Sequence, residues 1–93
     1  MRRKDHTILR ASLLKKLRRR DNWGESHTSF DDLPRGFRKD LRGSVKDIAE
    51  ELIKEGLLLS HPTSYGTQVS LNPKKKAEID KIIQEVLSEE PEA

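Results

Sequence analysis

Residues 45–58, VKDIAEELIKEGLL, decide the fold. Val45, Ile48, Ala49, Leu52 and Ile53 recur at the i, i+3, i+4, i+7, i+8 spacing of one helix face, and charged side chains fill the other. Gly56 breaks that pattern where a left-handed cap is wanted, and apolar residues follow it at once. Upstream, Gly43 permits a tight turn, and Ser44 with Asp47 three residues later forms an approximate capping box. The expectation is a helix over 45–55 that stops sharply and feeds a strand.

Downstream, residues 57–61 and 67–71 are short strand candidates joined by Pro62-Thr63-Ser64-Tyr65-Gly66, which together predict an antiparallel hairpin. Asn72 caps and Pro73 opens a last helix, in which Ile79, Ile82, Ile83, Val86 and Leu87 repeat the helical spacing. Upstream, Asp31 and Asp32 cap a short second helix that begins at Pro34 and sets Phe37 and Leu41 on its inner face. Phe37, Leu41, Val45, Ile48 and Leu52 also suit one unbroken helix through Gly43, at a cost of about 1 kcal/mol for the glycine. Thr28-Ser29-Phe30 is a β-prone edge strand after a turn over 21–27. Asp5 caps a first helix whose stripe is Ile8, Leu9, Leu13, Leu14 and Leu17, ending near Arg20. The fold class is therefore α+β and mostly helical, in the order helix, strand, helix, helix, hairpin, helix.

At 93 residues the chain makes one domain, with an ordered core over about 5–88, a basic tag over 1–4 and an acidic tail over 88–93 that is expected to fray. Charged residues reach 38% and apolar ones 32%, but the apolar ones cluster periodically, as a folded domain requires. There is no cysteine, which excludes disulfides and thiolate metal sites. His6, His27 and His61 lie far apart in sequence and read as surface residues, so no metal or cofactor is expected. The longest apolar run, Leu57 to Leu59, is far too short for a membrane span, and a cytoplasmic location is the default. Charge is regional: residues 1–46 hold 14 Lys and Arg against 6 Asp and Glu, whereas residues 47–93 hold 5 against 10. A basic half of this kind attracts phosphate.

The element order, with residues 45–58 and the return strand Gly66-Thr67-Gln68-Val69-Ser70-Leu71, resembles the winged helix-turn-helix superfamily over roughly residues 5–88. The resemblance implies that the helix over 45–55 is the one that enters the major groove and that the hairpin is the wing. The charge pattern departs from that family: Asp47, Glu50, Glu51 and Glu55 stand against Lys54 alone, and the wing loop carries no Lys or Arg.

The densest positive region is Arg10, Lys15, Lys16, Arg18, Arg19 and Arg20, preceded by Arg2, Arg3 and Lys4. Cations in a last helical turn offset the macrodipole, which accounts for Arg18 to Arg20 without a ligand but not for the tag. Lys74, Lys75 and Lys76 open the last helix, where positive charge opposes the dipole unless a phosphate or solvent compensates. Arg38, Lys39, Arg42, Ser44 and Lys46 form a basic approach to the central helix. Tyr65 in the wing loop can stack on a base or pack back on its hairpin, and Trp23 reads as a lid over the first helix.

No nucleophile and base are recognisable, so an enzyme is not expected. The reading is a nucleic-acid-binding protein, DNA ahead of RNA, acting as a regulator of transcription; its alternative is a protein-interaction module whose acidic central helix and apolar first and last helices mediate assembly within a larger complex. No membrane partner is expected. A homodimer through the first and last helices is expected from their long stripes, unless the first helix absorbs the last one's stripe within one chain.

Overall fold

The computed structural model describes residues 3–88. Arg2 of the basic tag and residues 89–93 of the acidic tail lie outside the described residues, and Arg3 and Lys4 are placed only as the opening of the first helix. The described chain is α+β. Helix α1 spans Arg3–Arg19, β1 Thr28–Ser29, α2 Arg42–Lys54, β2 Leu58–Thr63, β3 Gly66–Leu71 and α3 Lys76–Leu87. The strands form one antiparallel sheet in the order β1-β3-β2, with Thr28 opposite Val69 and Leu58 opposite Leu71.

Two helix ends follow from local chemistry. At the end of α2 the Leu57 N–H reaches the Leu52 carbonyl and the Gly56 N–H reaches that of Ile53, with Gly56 at φ +80°. This is the Schellman arrangement, and it needs a left-handed residue where glycine costs least. The end of α1 repeats the pattern with Asn22 to Leu17 and Asp21 to Arg18, Asp21 taking the left-handed position. At the start of α3 the Asn72 side chain accepts from the Lys74 N–H, and Pro73 opens a 3-10 turn that leads into the helix.

The expected second helix is absent. Residues 30–41 instead form two 3-10 turns, Phe30–Asp32 and Lys39–Leu41, around a turn in which Gly36 sits at φ +87°. The cause is tertiary. The Lys16 ammonium of α1 takes the Leu33 carbonyl at 3.1 Å and the Arg35 carbonyl as well, both of which a helix would commit to its own N–H groups. Asp31 and Asp32 therefore cap nothing; they pair with Lys46 and Arg35. Nor does Ser44 cap α2, which starts at Arg42 and runs through Gly43, so the unbroken-helix alternative holds at Gly43 but not at Phe37.

The strands of the hairpin reach farther than expected, leaving only Ser64 and Tyr65 as the loop, and Pro62 lies within β2. A proline is tolerated there because β2 is an edge strand of the sheet. At the tip, Thr63 Oγ1 accepts from the Tyr65 N–H and donates to the Gly66 carbonyl.

The core joins Leu9, Leu13, Leu14 and Leu17 of α1 to Val45, Ile48, Ala49 and Leu52 of α2, to Val69 and Leu71 of β3, and to Ile79 and Ile83 of α3. Ile8, expected in the α1 stripe, is instead 39% exposed. Most of the α3 stripe goes into its own chain: Ile79 and Ile83 are fully buried, and Ile82 and Leu87 pack against the same cluster, while Val86 is half-buried outside it. Ile8 and Tyr65 are the exposed large apolar side chains among the described residues, so little apolar surface is left for a partner copy on α1 and α3.

Leu52 is fully buried at the centre of this cluster, so Leu52→Ala is expected to cost about 2–5 kcal/mol through the cavity it opens. A urea unfolding curve measures this. A midpoint close to that of the wild type would place Leu52 away from the core.

Candidate nucleic-acid interface

The two basic runs that the sequence keeps at opposite ends meet in space. Arg18 in the last turn of α1 and Lys76 at the start of α3 share one carboxylate: Arg18 Nη1 lies 3.1 Å from Asp80 Oδ1 and Lys76 Nζ lies 2.6 Å from Oδ2. Partial burial pulls the Asp80 carboxyl upward, but the hydrogen bonds and charges of Lys76 and Arg18 outweigh it and hold the group below its ordinary value. Asp80 is thus the junction of a cationic surface that includes Lys74 and Lys75 in the adjoining 3-10 turn. Lys75 makes a loose pair with Glu78 at 4.0 Å, whereas Lys74 is exposed and makes no ion pair among the described residues.

The last turn of α1 fans its cations around the helix. Arg19, with Lys15, Lys16, Ser12 and Leu87, lines an open cleft of about 270 Å³. Arg20 lies close enough to Lys16 to be felt electrostatically, as does Arg35 from the neighbouring turn. Arg19 and Arg20 are exposed without an ion pair among the described residues, so they are free to meet phosphate. Arg35, which the sequence reading passed over, adds to the same surface with a side chain 82% exposed.

Several expected phosphate ligands have other employment. Lys16 is bound to two carbonyls and lies over the Phe37 ring at 5.3 Å; burial, then the charge of Arg20, push its pKa down. It is a structural lysine. Arg38 forms a two-bond fork on Asp40, at 3.1 and 2.6 Å, which holds the Asp40 carboxyl below its usual range. Lys46 pairs with Asp31 at 3.1 Å, and Ser44 is half-buried inside the first turn of α2. Lys39 and Arg42 are the exposed cations of that approach without an ion pair among the described residues.

The acid residues of α2 are divided by the packing. Glu51 meets His6 at 2.8 Å and Glu55 meets Arg10 at 2.5 Å, two rungs that tie α2 to α1. Asp47, Glu50 and Lys54 remain exposed, so the outward face of α2 is weakly acidic rather than basic. Tyr65 is 97% exposed and does not pack back on its hairpin. The histidines are not plain surface groups: His27 and His61 stack with ring centres 3.9 Å apart, and His61 Nε2 lies 3.0 Å from Ser70 Oγ. Among the described residues no cluster of three or more metal-ligating side chains occurs, and no helix is long and apolar enough to cross a membrane.

Compared with known protein families, curated proteins and solved structures, the chain matches none.

Because the Asp80 carboxyl is depressed in the folded chain, its pairing stabilises the fold above the ordinary carboxylate pKa and the contribution is lost as pH falls through the depressed value. Asp80→Asn is expected to melt at a lower temperature than the wild type at pH 7, the gap closing below about pH 4. An equal gap at pH 7 and pH 3 would show that Asp80 acts through packing rather than charge.

Proposed function

We propose that this chain is a winged helix-turn-helix module that binds nucleic acid, DNA ahead of RNA, and that it is not an enzyme. The observation that carries the reading is the convergence on Asp80 of two basic runs, whose Arg18 to Asp80 contact spans 62 residues of sequence. Arg18 and Lys76 meet at the start of α3, where the helix dipole already makes the backbone electropositive, and Lys74 and Lys75 adjoin them. Neutralising that surface with phosphates releases counterions and yields affinity without base readout.

The proposed contacts are Arg18, Arg19 and Arg20, with Arg35, from the α1 side and Lys74, Lys75 and Lys76 from the α3 side. Lys39 and Arg42 at the start of α2 are a secondary set. Helix α2 is not assigned to the major groove, because its outward Asp47 and Glu50 repel backbone phosphate. Regulation of transcription in the cytoplasm is the role this reading implies. A second reading draws on those same exposed carboxylates, which suit a basic protein partner.

Arg19, Arg20 and Lys74 make no ion pair among the described residues, so removing them leaves the internal contacts intact. Arg20→Ala with Lys74→Ala is expected to weaken binding alike across sequences and to lower the slope of log affinity against log salt by about one unit per lost contact. Salt titrations against mixed-sequence duplex DNA and single-stranded RNA provide the measurement. Absence of binding to both at low salt would overturn the proposal in favour of the protein-partner reading.

A further inference from the structure

Trp23, the chain's single tryptophan, stands in the turn between α1 and β1, three residues after Arg20, the last of the arginines at the end of α1, and Lys76 at the start of α3 lies over its ring. Its backbone is fixed. It bridges to Leu71, the Gly24 N–H donates to the Leu71 carbonyl, and a Cβ on Gly24 would lie 3.4 Å from Pro73 Cγ. The indole is half-buried, packed against the core on one side, with the Lys76 ammonium 6.0 Å from the ring centre. That lysine side chain is 66% exposed, so the ring face it overlies is bordered by a solvated group rather than by the interior.

The other aromatic side chains lack this combination. Phe37 is overlain by Lys16, which two carbonyls pin in place, and Phe30 packs against the core. Tyr65 is fully open, but its loop carries no cation to hold a backbone beside it. Among the tryptophan, tyrosine and phenylalanines, Trp23 joins a half-exposed aromatic face to an exposed cation, Lys76, and follows Arg20 by three residues. At 6.0 Å the Lys76 ammonium lies at the outer limit of a cation–π contact, and its hydrogen bond at 2.6 Å goes to Asp80 rather than to the ring.

From this we infer that Trp23 is a stacking platform for an unpaired nucleobase, and that the preferred ligand is a nucleic acid with a single-stranded segment. The inference rests on the phosphate-binding reading above and narrows it. Stacking on an aromatic face is tolerant of sequence, because every base has such a face, and it requires that the base be out of a duplex.

The test uses the full chain with two probes, a short single-stranded oligothymidylate and a blunt duplex, at low salt. Emission from Trp23 is expected to be quenched by the oligothymidylate and not by the duplex. Trp23→Leu is expected to lose about tenfold in affinity for the single strand with little change for the duplex, and Trp23→Phe to retain most of it. Should Trp23→Leu fail to fold, quenching in the wild-type chain still decides. Binding of both probes with unchanged emission would overturn the stacking inference and leave the phosphate surface standing. Failure of both probes to bind would overturn the two together.

Discussion

The leucines of α1 have to leave water as a group, and in a chain of this size the covers within reach are α2, α3 and the inner side of β3. All of them pack on α1, so the placing of one amphipathic helix sets the positions of the others. The charged side chains that flank its apolar stripe are carried along: His6 and Arg10 to α2, Lys16 to the turns after β1, Arg18 to α3. Apolar burial supplies the driving force, and these contacts fix orientation. Exposed pairs such as His6 with Glu51 contribute about 1 kcal/mol at most.

Lys16 shows how a single contact overrides local propensity. Residues 34–41 contain a proline suited to a helix start and apolar residues four apart, yet the carbonyls that the helix would use are bound by an ammonium from α1. Gly36 in the left-handed region then makes continuation of a helix unfavourable. The segment settles as turns whose polar groups are satisfied from outside, at the cost of holding a lysine where burial disfavours its charge.

The same packing sorts the charges. Carboxylates and cations that are neighbours in the fold cancel along the α1 to α2 seam, while the ends of α1 and α3 collect cations around a single carboxylate. The separation between basic and acidic halves of the sequence therefore does not survive as two halves of the surface. Lys76 belongs to the acidic half yet ends on the same carboxylate as Arg18 of the basic one.

The sequence by itself determined what depends on neighbours along the chain. The α2 stripe and its Gly56 stop, the Asn72-Pro73 start, the hairpin and the short β1 were legible because periodicity, capping and turn chemistry act over a few residues. The spacing of Lys76 and Asp80 was equally readable, four apart on one helix. Only the tertiary structure decided the fate of residues 30–41, the loss of Ser44 as a cap, the pairing of Glu51 and Glu55, and the meeting of Arg18 with Asp80. The turns over 30–41 and the pairings of Glu51, Glu55 and Asp80 depend on where a side chain from α1 finds its partner. That partner is chosen by how apolar faces pack, and no local pattern around Lys16 or Arg18 encodes it.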